Sequence, residues 1–335
     1  MQEPSRAPAD LSRGVPLARV PRGGGLKGGL PPQTRGVPLA RVPRGGGLRG
    51  GLPPQTRPIL DWAGTARRDL PWRRTRNPWA VLVSELMLQQ TQVARVMASY
   101  ATFLDRFPTP AECAAASAAD VIRLWAGLGY NRRALLLHRA ARAVMADHGG
   151  QVPDRLPELL RVPGVGPYTA RAVLAFAFER DVVVLDANAL RVLSRALGTA
   201  VRQADADRLV PSGQGWAWNQ SVLDLGATIC RSRPRCDSCP LAAAAACAWE
   251  AAGRPDPDPR PRGAGQPAFE GSDRQGRGRL IQALRAGPVA WGSVPEATGW
   301  PLDPRRALRV GRALVAEGMV VDRGDQLCLP AEGAT

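Results

Sequence analysis

Two carboxylates stand where their surroundings push them to opposite states. "WAVLVSELMLQQTQV" (79–93) sets Glu85 among Val81, Leu82, Leu86, Met87 and Leu88. A carboxyl in apolar surroundings takes a raised pKa and can carry a proton near neutrality, as a general acid must. The same residues also fit a solvent-facing polar stripe of Glu85, Gln89 and Gln92. "VVVLDANALRVL" (182–193) puts Asp186 immediately before a helical pattern, with Asn188 two residues on. Aspartate is a preferred N-cap, and the free N–H groups of a helix start favour its ionised form. One protonated and one ionised carboxyl together form a pair able to cleave a glycosidic bond.

Four of the six cysteines fall within "CRSRPRCDSCPLAAAAAC": Cys230, Cys236, Cys239 and Cys247. No apolar export segment opens the chain, so the cluster reads as a metal site rather than a disulfide framework. A four-cysteine zinc site usually carries two C-x2-C pairs. The spacing here, C-x5-C-x2-C-x7-C, fits a 4Fe–4S cluster better. Arg231, Arg233 and Arg235 lie in its first loop, within reach of phosphates.

These groups must be held by helices. Apolar residues recur at three and four spacings over 78–90, 92–106, 118–127, 132–147, 154–162, 168–178, 188–197 and 216–229. "DVVVL" (181–185) reads as a strand or a short buried run. "LLRVPGVGPYTA" (159–170) places Gly164 and Gly166 in a tight turn between two helical patterns. Glycines let the backbone approach a partner, and the N–H groups that open the second helix can hold a phosphate. This is a helix-hairpin-helix device, which grips a DNA backbone without reading sequence.

The 335 residues carry a net charge of +16 and are 44% hydrophobic, enough for a packed core and a polyanionic partner. Nucleic acid is the first such partner and an acidic membrane surface the second. No apolar run approaches the roughly 18 residues of a membrane span. Residues 13–34 repeat as 35–56 with one change, Lys27 to Arg49, and Lys27 is the sole lysine. We expect a disordered basic tail over 1–57, a helical domain over 58–252, a polar linker over 253–276 and a small unit over 277–335. The last reads helix, helix and two short strands, as in a winged helix.

Five segments together resemble the adenine DNA glycosylases of the MutY type, within the helix-hairpin-helix superfamily. They are "SELMLQQTQV", "LWAGLGYNRRALLLHRAA", "VPGVGPYTARAV", "VLDANALRVLSRAL" and "NQSVLDLGATIC". The resemblance implies a mainly α, two-lobed fold. A six-helix lobe spans about 78–180, and a cluster lobe combines 58–77 with 181–252. It further implies that Glu85 protonates the departing adenine and that Asp186 stabilises the oxocarbenium-like sugar. Asn188 and Tyr168 assist in that pocket, and Arg73 belongs to the base pocket. Gln90, Leu128 and Tyr130 wedge into the duplex, Gly164 and Gly166 grip its backbone, and the four cysteines ligate a 4Fe–4S cluster.

The implied substrate is duplex DNA with an A:8-oxoguanine or A:G pair, acted on by a cytoplasmic, nucleoid-associated monomer with no membrane association. Related endonuclease III enzymes carry a Schiff-base lysine where Tyr168 stands, so strand nicking is not expected. Two departures stand out. The cysteine spacing differs from the family's C-x6-C-x2-C-x5-C, and the usual Nudix-like C-terminal domain has no room. Asn131 also replaces a frequent second tyrosine. The competing readings are a thymine-mismatch glycosylase and a non-catalytic DNA-binding protein.

Overall fold

The computed structural model describes residues 53–259 and 267–331. The expected basic tail and its repeat lie almost wholly outside the described residues.

The order is α1 (Thr56–Ala66), α2 (Pro78–Leu88), α3 (Val93–Arg106), α4 (Pro110–Ala115), α5 (Ala118–Leu124), α6 (Arg132–His148), α7 (Leu156–Leu159) and α8 (Pro167–Phe176). Then come α9 (Ala187–Leu197), α10 (Gln203–Ala206), α11 (Gly215–Thr228), α12 (Pro240–Ala243) and α13 (Ala248–Ala251). The C-terminal part runs α14 (Asp273–Ala286), β1 (Val289–Ala290), α15 (Val294–Thr298), α16 (Pro304–Ala316), β2 (Val321–Asp322) and β3 (Gln326–Cys328).

Local chemistry sets the starts of the helices that matter. Asn77 caps α2, its Oδ1 accepting from the Ala80 amide at 3.1 Å, and Pro78 fills the first turn where no donor is needed. Pro167 does the same for α8 after Gly166. Apolar residues surround α2 on every side, so it is buried on every side, from Trp79 to Met87. That overturns the solvent-facing stripe: Glu85 points inward and is only 4% exposed.

Two apolar cores form. One gathers α2, α3, α5, α6 and α8 around Leu82, Leu86, Phe103, Trp125 and Leu137. The other joins Ile59 of α1 to Val192, Leu193, Trp218 and Leu225 of α9 and α11. The connecting segment 181–185 is extended but pairs with no strand. Side chains satisfy its backbone instead. Val183 N–H donates to Asp207 at 3.0 Å, Val184 N–H donates to Asn219 Oδ1 at 2.7 Å, and Asn219 Nδ2 donates to the Val182 carbonyl at 2.7 Å. Val183 faces one core and Val184 the other, as alternation along an extended chain requires.

The C-terminal strands make an antiparallel sheet in the order β1-β3-β2, with Val289 opposite Leu327 and Val321 opposite Cys328. Helix, strand, helix, helix and two strands is a winged-helix order. Helix α14 begins at Asp273, inside the stretch expected as linker, and α15 was not foreseen. Leu280, Ile281 and Leu284 of α14 belong to the same core as α2 and α6. The docking is polar as well. Arg285 donates to the Ile122 carbonyl at 3.1 Å and to Asn131 Oδ1 at 2.8 Å, and Arg274 reaches the Tyr130 hydroxyl at 3.2 Å.

Candidate active site

Helices α2, α8 and α9 bring together Glu85, Tyr168 and Asp186. Glu85 sits on the buried flank of α2. Tyr168 is the second residue of α8, thrown into position by the glycine turn, and its hydroxyl lies near enough to Glu85 to lower that carboxyl's pKa. Asp186 caps α9, accepting from the Asn188 and Ala189 amides at 2.8 and 2.7 Å, while Asn188 Nδ2 holds its other oxygen at 3.1 Å. Glu85 forms a floor; Tyr168, Asp186 and Asn188 are half-buried around it.

Burial pushes Glu85 from 4.5 up to about 7. The negative charge of Asp186 adds to the rise, whereas Tyr168 and Arg73 oppose it. Asp186 is also raised by burial, against its hydrogen bonds to Ala189 and Asn188 and the charge of Arg191. The cap alone predicts the opposite direction, and desolvation outweighs it. Glu85 is taken to about 7, a value at which a carboxyl can hold a proton near neutrality. Burial and the two carboxylates hold Tyr168 well above its ordinary value, as a neutral phenol.

Asp224 of α11 is a member of this region that the sequence did not disclose. It is fully buried and takes a two-pronged contact from Arg73 at 2.7 and 2.9 Å, plus Arg68 Nε at 2.5 Å. Arg73 thus lies by the site as expected, but its outer nitrogens are committed to Asp224. Its Nε and Glu85 Oε2 are buried polar atoms without a hydrogen-bond partner among the described residues. Gly226 on the same helix explains how Asn188 is placed, since a Cβ there would lie 2.7 Å from Asn188 Cβ and 2.9 Å from its carbonyl.

A second cluster lies where α2 ends. Gln90 and Tyr130 are exposed, and each has a left-handed backbone, φ 55° and 45°. Arg133, buried beneath them, ties the two turns together. It donates to the carbonyls of Leu86, Met87 and Gln89 at 2.6–2.8 Å and to those of Leu128 and Gly129 at 3.1–3.2 Å. Desolvation lowers its pKa to about 10, still above neutrality. Leu128, by contrast, is 2% exposed and packed in the core.

In the hairpin, Gly164 has φ 80°, and a Cβ there would lie 2.9 Å from Leu136 Cβ on α6. Gly166 is extended and has open space where a side chain would be. The first glycine therefore serves the fold, while the second leaves the start of α8 approachable.

Cys230, Cys236, Cys239 and Cys247 line one cavity with Arg195, Ile229 and Trp249, and none of the four is in a disulfide. Among the described residues no three metal-ligating groups converge closely enough for a single ion. Four thiol side chains around one cavity form a soft donor set of the kind that thiolate-bound metal centres use. Arg195 anchors the loop, donating to Cys230 Sγ at 3.5 Å and the Arg231 carbonyl at 2.7 Å. Arg191 spans loop and site, donating to the Cys230 carbonyl at 2.6 Å and to Asn188 Oδ1 at 2.7 Å. Arg231, Arg233 and Arg235 are exposed beside it.

Residues 83–208 match the family described as HhH-GPD superfamily base excision DNA repair protein. The chain is 42% identical over 288 residues to an adenine DNA glycosylase of Mycobacterium tuberculosis, covering 82% of this chain and 93% of that one. It is 38% identical to an adenine DNA glycosylase of Mycolicibacterium smegmatis, covering 83% and 96%. Among solved structures, a thermostable thymine-DNA glycosylase superposes with a TM-score of 0.56 at 31% identity, covering 59% of this chain and 95% of that one. A trapped endonuclease III–DNA covalent intermediate superposes at 0.51 with 23% identity, covering 60% and 98%, a likeness of fold alone. No helix among the described residues is long and apolar enough to cross a membrane.

Proposed function

Since the chain belongs to the adenine DNA glycosylases of base excision repair, we propose that it releases adenine paired with 8-oxoguanine or guanine, with Glu85 as the acid. The observation that carries this reading is the buried Glu85 held near pKa 7, with Tyr168 and Asp186 beside it. A base within the duplex stack cannot be reached, so it must be flipped out. Glu85 then gives its proton to a ring nitrogen of adenine, and the C1′–N9 bond breaks as the neutral base leaves. The developing positive charge on the sugar is met by Asp186, held by the start of α9 and Asn188. Water adds to C1′ and its proton returns to Glu85, which restores the acid. The unpartnered Glu85 Oε2 and Arg73 Nε are polar groups that a flipped purine can satisfy.

Tyr168 supports a monofunctional reaction, because it offers no amine for a Schiff base and no lysine occurs between residues 58 and 335. Gln90 and Tyr130 are the exposed groups suited to the opposing base, and Gly166 to the backbone. The four cysteines would hold a 4Fe–4S cluster, which ties the 230–247 loop together through iron–thiolate bonds when bound.

The test is single-turnover base release on duplexes with A:8-oxoguanine, A:G, T:G and A:T, with borohydride trapping in parallel. Adenine release opposite 8-oxoguanine without a trapped adduct is expected. Release from T:G alone, or efficient trapping, would overturn the reading.

A further inference from the structure

Helix α16 carries four arginines and no acidic residue over its thirteen positions. Its inner face, Ala307, Val310, Gly311 and Leu314, packs against the rest of the C-terminal unit. Arg306 is spent inside that unit, bonded to Asp273 at 2.8 Å and lying 4.0 Å over the Trp300 ring. The other three, Arg305, Arg309 and Arg312, are exposed at spacings of four and three residues, one stripe along the outer face. Arg309 touches Asp273 at 3.1 Å across an exposed pair. Arg305 and Arg312 have no hydrogen-bond or ion-pair partner among the described residues. Of the unit's other acids, Asp303 caps the start of α16 and accepts from the Arg306 amide at 3.1 Å, Glu317 at its end holds Arg277, and Asp322 accepts from Trp291.

The unit is fixed on the lobe that carries Tyr130. Arg274 reaches the Tyr130 hydroxyl, Arg285 holds Asn131, and the Ala119 amide donates to the Pro330 carbonyl at 2.9 Å. These contacts use α14 and the C-terminal segment and leave the outer face of α16 open.

We propose that this face of α16 is a second DNA-binding surface, which holds backbone phosphates of the same duplex through Arg305, Arg309 and Arg312. The inference rests on the glycosylase reading for its partner, duplex DNA. Guanidinium forks suit phosphate, and three such contacts add affinity without sequence preference. Each phosphate neutralised steepens the salt dependence of binding by about 0.9 in log–log slope.

The experiment measures binding of the full chain to an undamaged duplex over a salt series, for wild type, R305Q/R309Q/R312Q and R305K/R309K/R312K. The glutamine triple should lower the slope by about 2 to 3 and weaken binding at low salt by tenfold or more. The lysine triple should retain most of both. Because the readout is binding, failure of wild type to release adenine would indict the active-site reading and leave this test intact. An unchanged slope in the glutamine triple overturns the proposal. Equal loss in both triples also overturns it, since the arginines would then act by shape within the fold rather than by charge.

Discussion

Glu85→Gln should abolish base release yet make the protein more stable above neutral pH. Burial raises the carboxyl from 4.5 to about 7 in the folded chain, while the unfolded chain keeps the ordinary value. The folded form therefore binds this proton more tightly. Below the unfolded value both forms are protonated, and the site adds no penalty. As pH rises through the interval, the unfolded chain loses its proton freely and the folded chain does not. The penalty grows until the folded pKa near 7 is passed and is constant beyond it. A gap of that size corresponds to roughly 3 kcal/mol, at about 1.4 kcal/mol per unit. Glutamine is neutral throughout and similar in shape, so the variant escapes the penalty. Urea midpoints followed by circular dichroism would show little difference near pH 4 and a gain of up to about 3 kcal/mol near pH 8. A difference between the two proteins that stays constant across that range would refute the claim that desolvation sets the protonation of Glu85.

Other perturbations separate the remaining parts. Tyr168→Phe removes the hydroxyl that lowers Glu85, so the alkaline limb of the pH–rate profile should move to higher pH; a move to lower pH would contradict that influence. Asp224→Ala leaves the buried Arg73 unpaired and should cost about 3–5 kcal/mol in unfolding experiments. Gly164→Ala meets both the positive φ and Leu136, and should lower stability by about 1–3 kcal/mol. Gly166→Ala has room in the free protein, so thermal unfolding should hardly change while affinity for duplex DNA falls.

The elements were legible where one physical signal dominated. The glycine turn, the cap at Asp186 and the periodic helices α3, α6 and α9 follow from local chemistry, and the structure has them at those positions. Where long-range contacts decide, local reading failed. The valines of 182–184 suggest a strand, yet the donors and acceptors that satisfy them come from Asp207 and Asn219. Glu85 in isolation fits a surface stripe. Only the all-round apolar character of α2 shows that the helix has no wet face. Asp224 is a lone acid 151 positions from Arg73, so no spacing could pair them, and Arg133 looks like one more surface arginine until its seven oxygen contacts are seen. In the C-terminal unit two helices and the last two strands were legible in the local pattern, whereas β1 and α15 were not. The unit's docking through Arg285 and Asn131 depends on a surface that no local pattern encodes.

If a buried, protonated Glu85 drives adenine release, single-turnover kinetics on an A:8-oxoguanine duplex must report its titration. Wild type and Glu85→Gln should be compared across pH with DNA binding measured on the same samples. The wild-type rate should fall as pH passes about 7, and the variant should bind normally and release no base. Adenine release by the variant at the wild-type rate would contradict that role of Glu85.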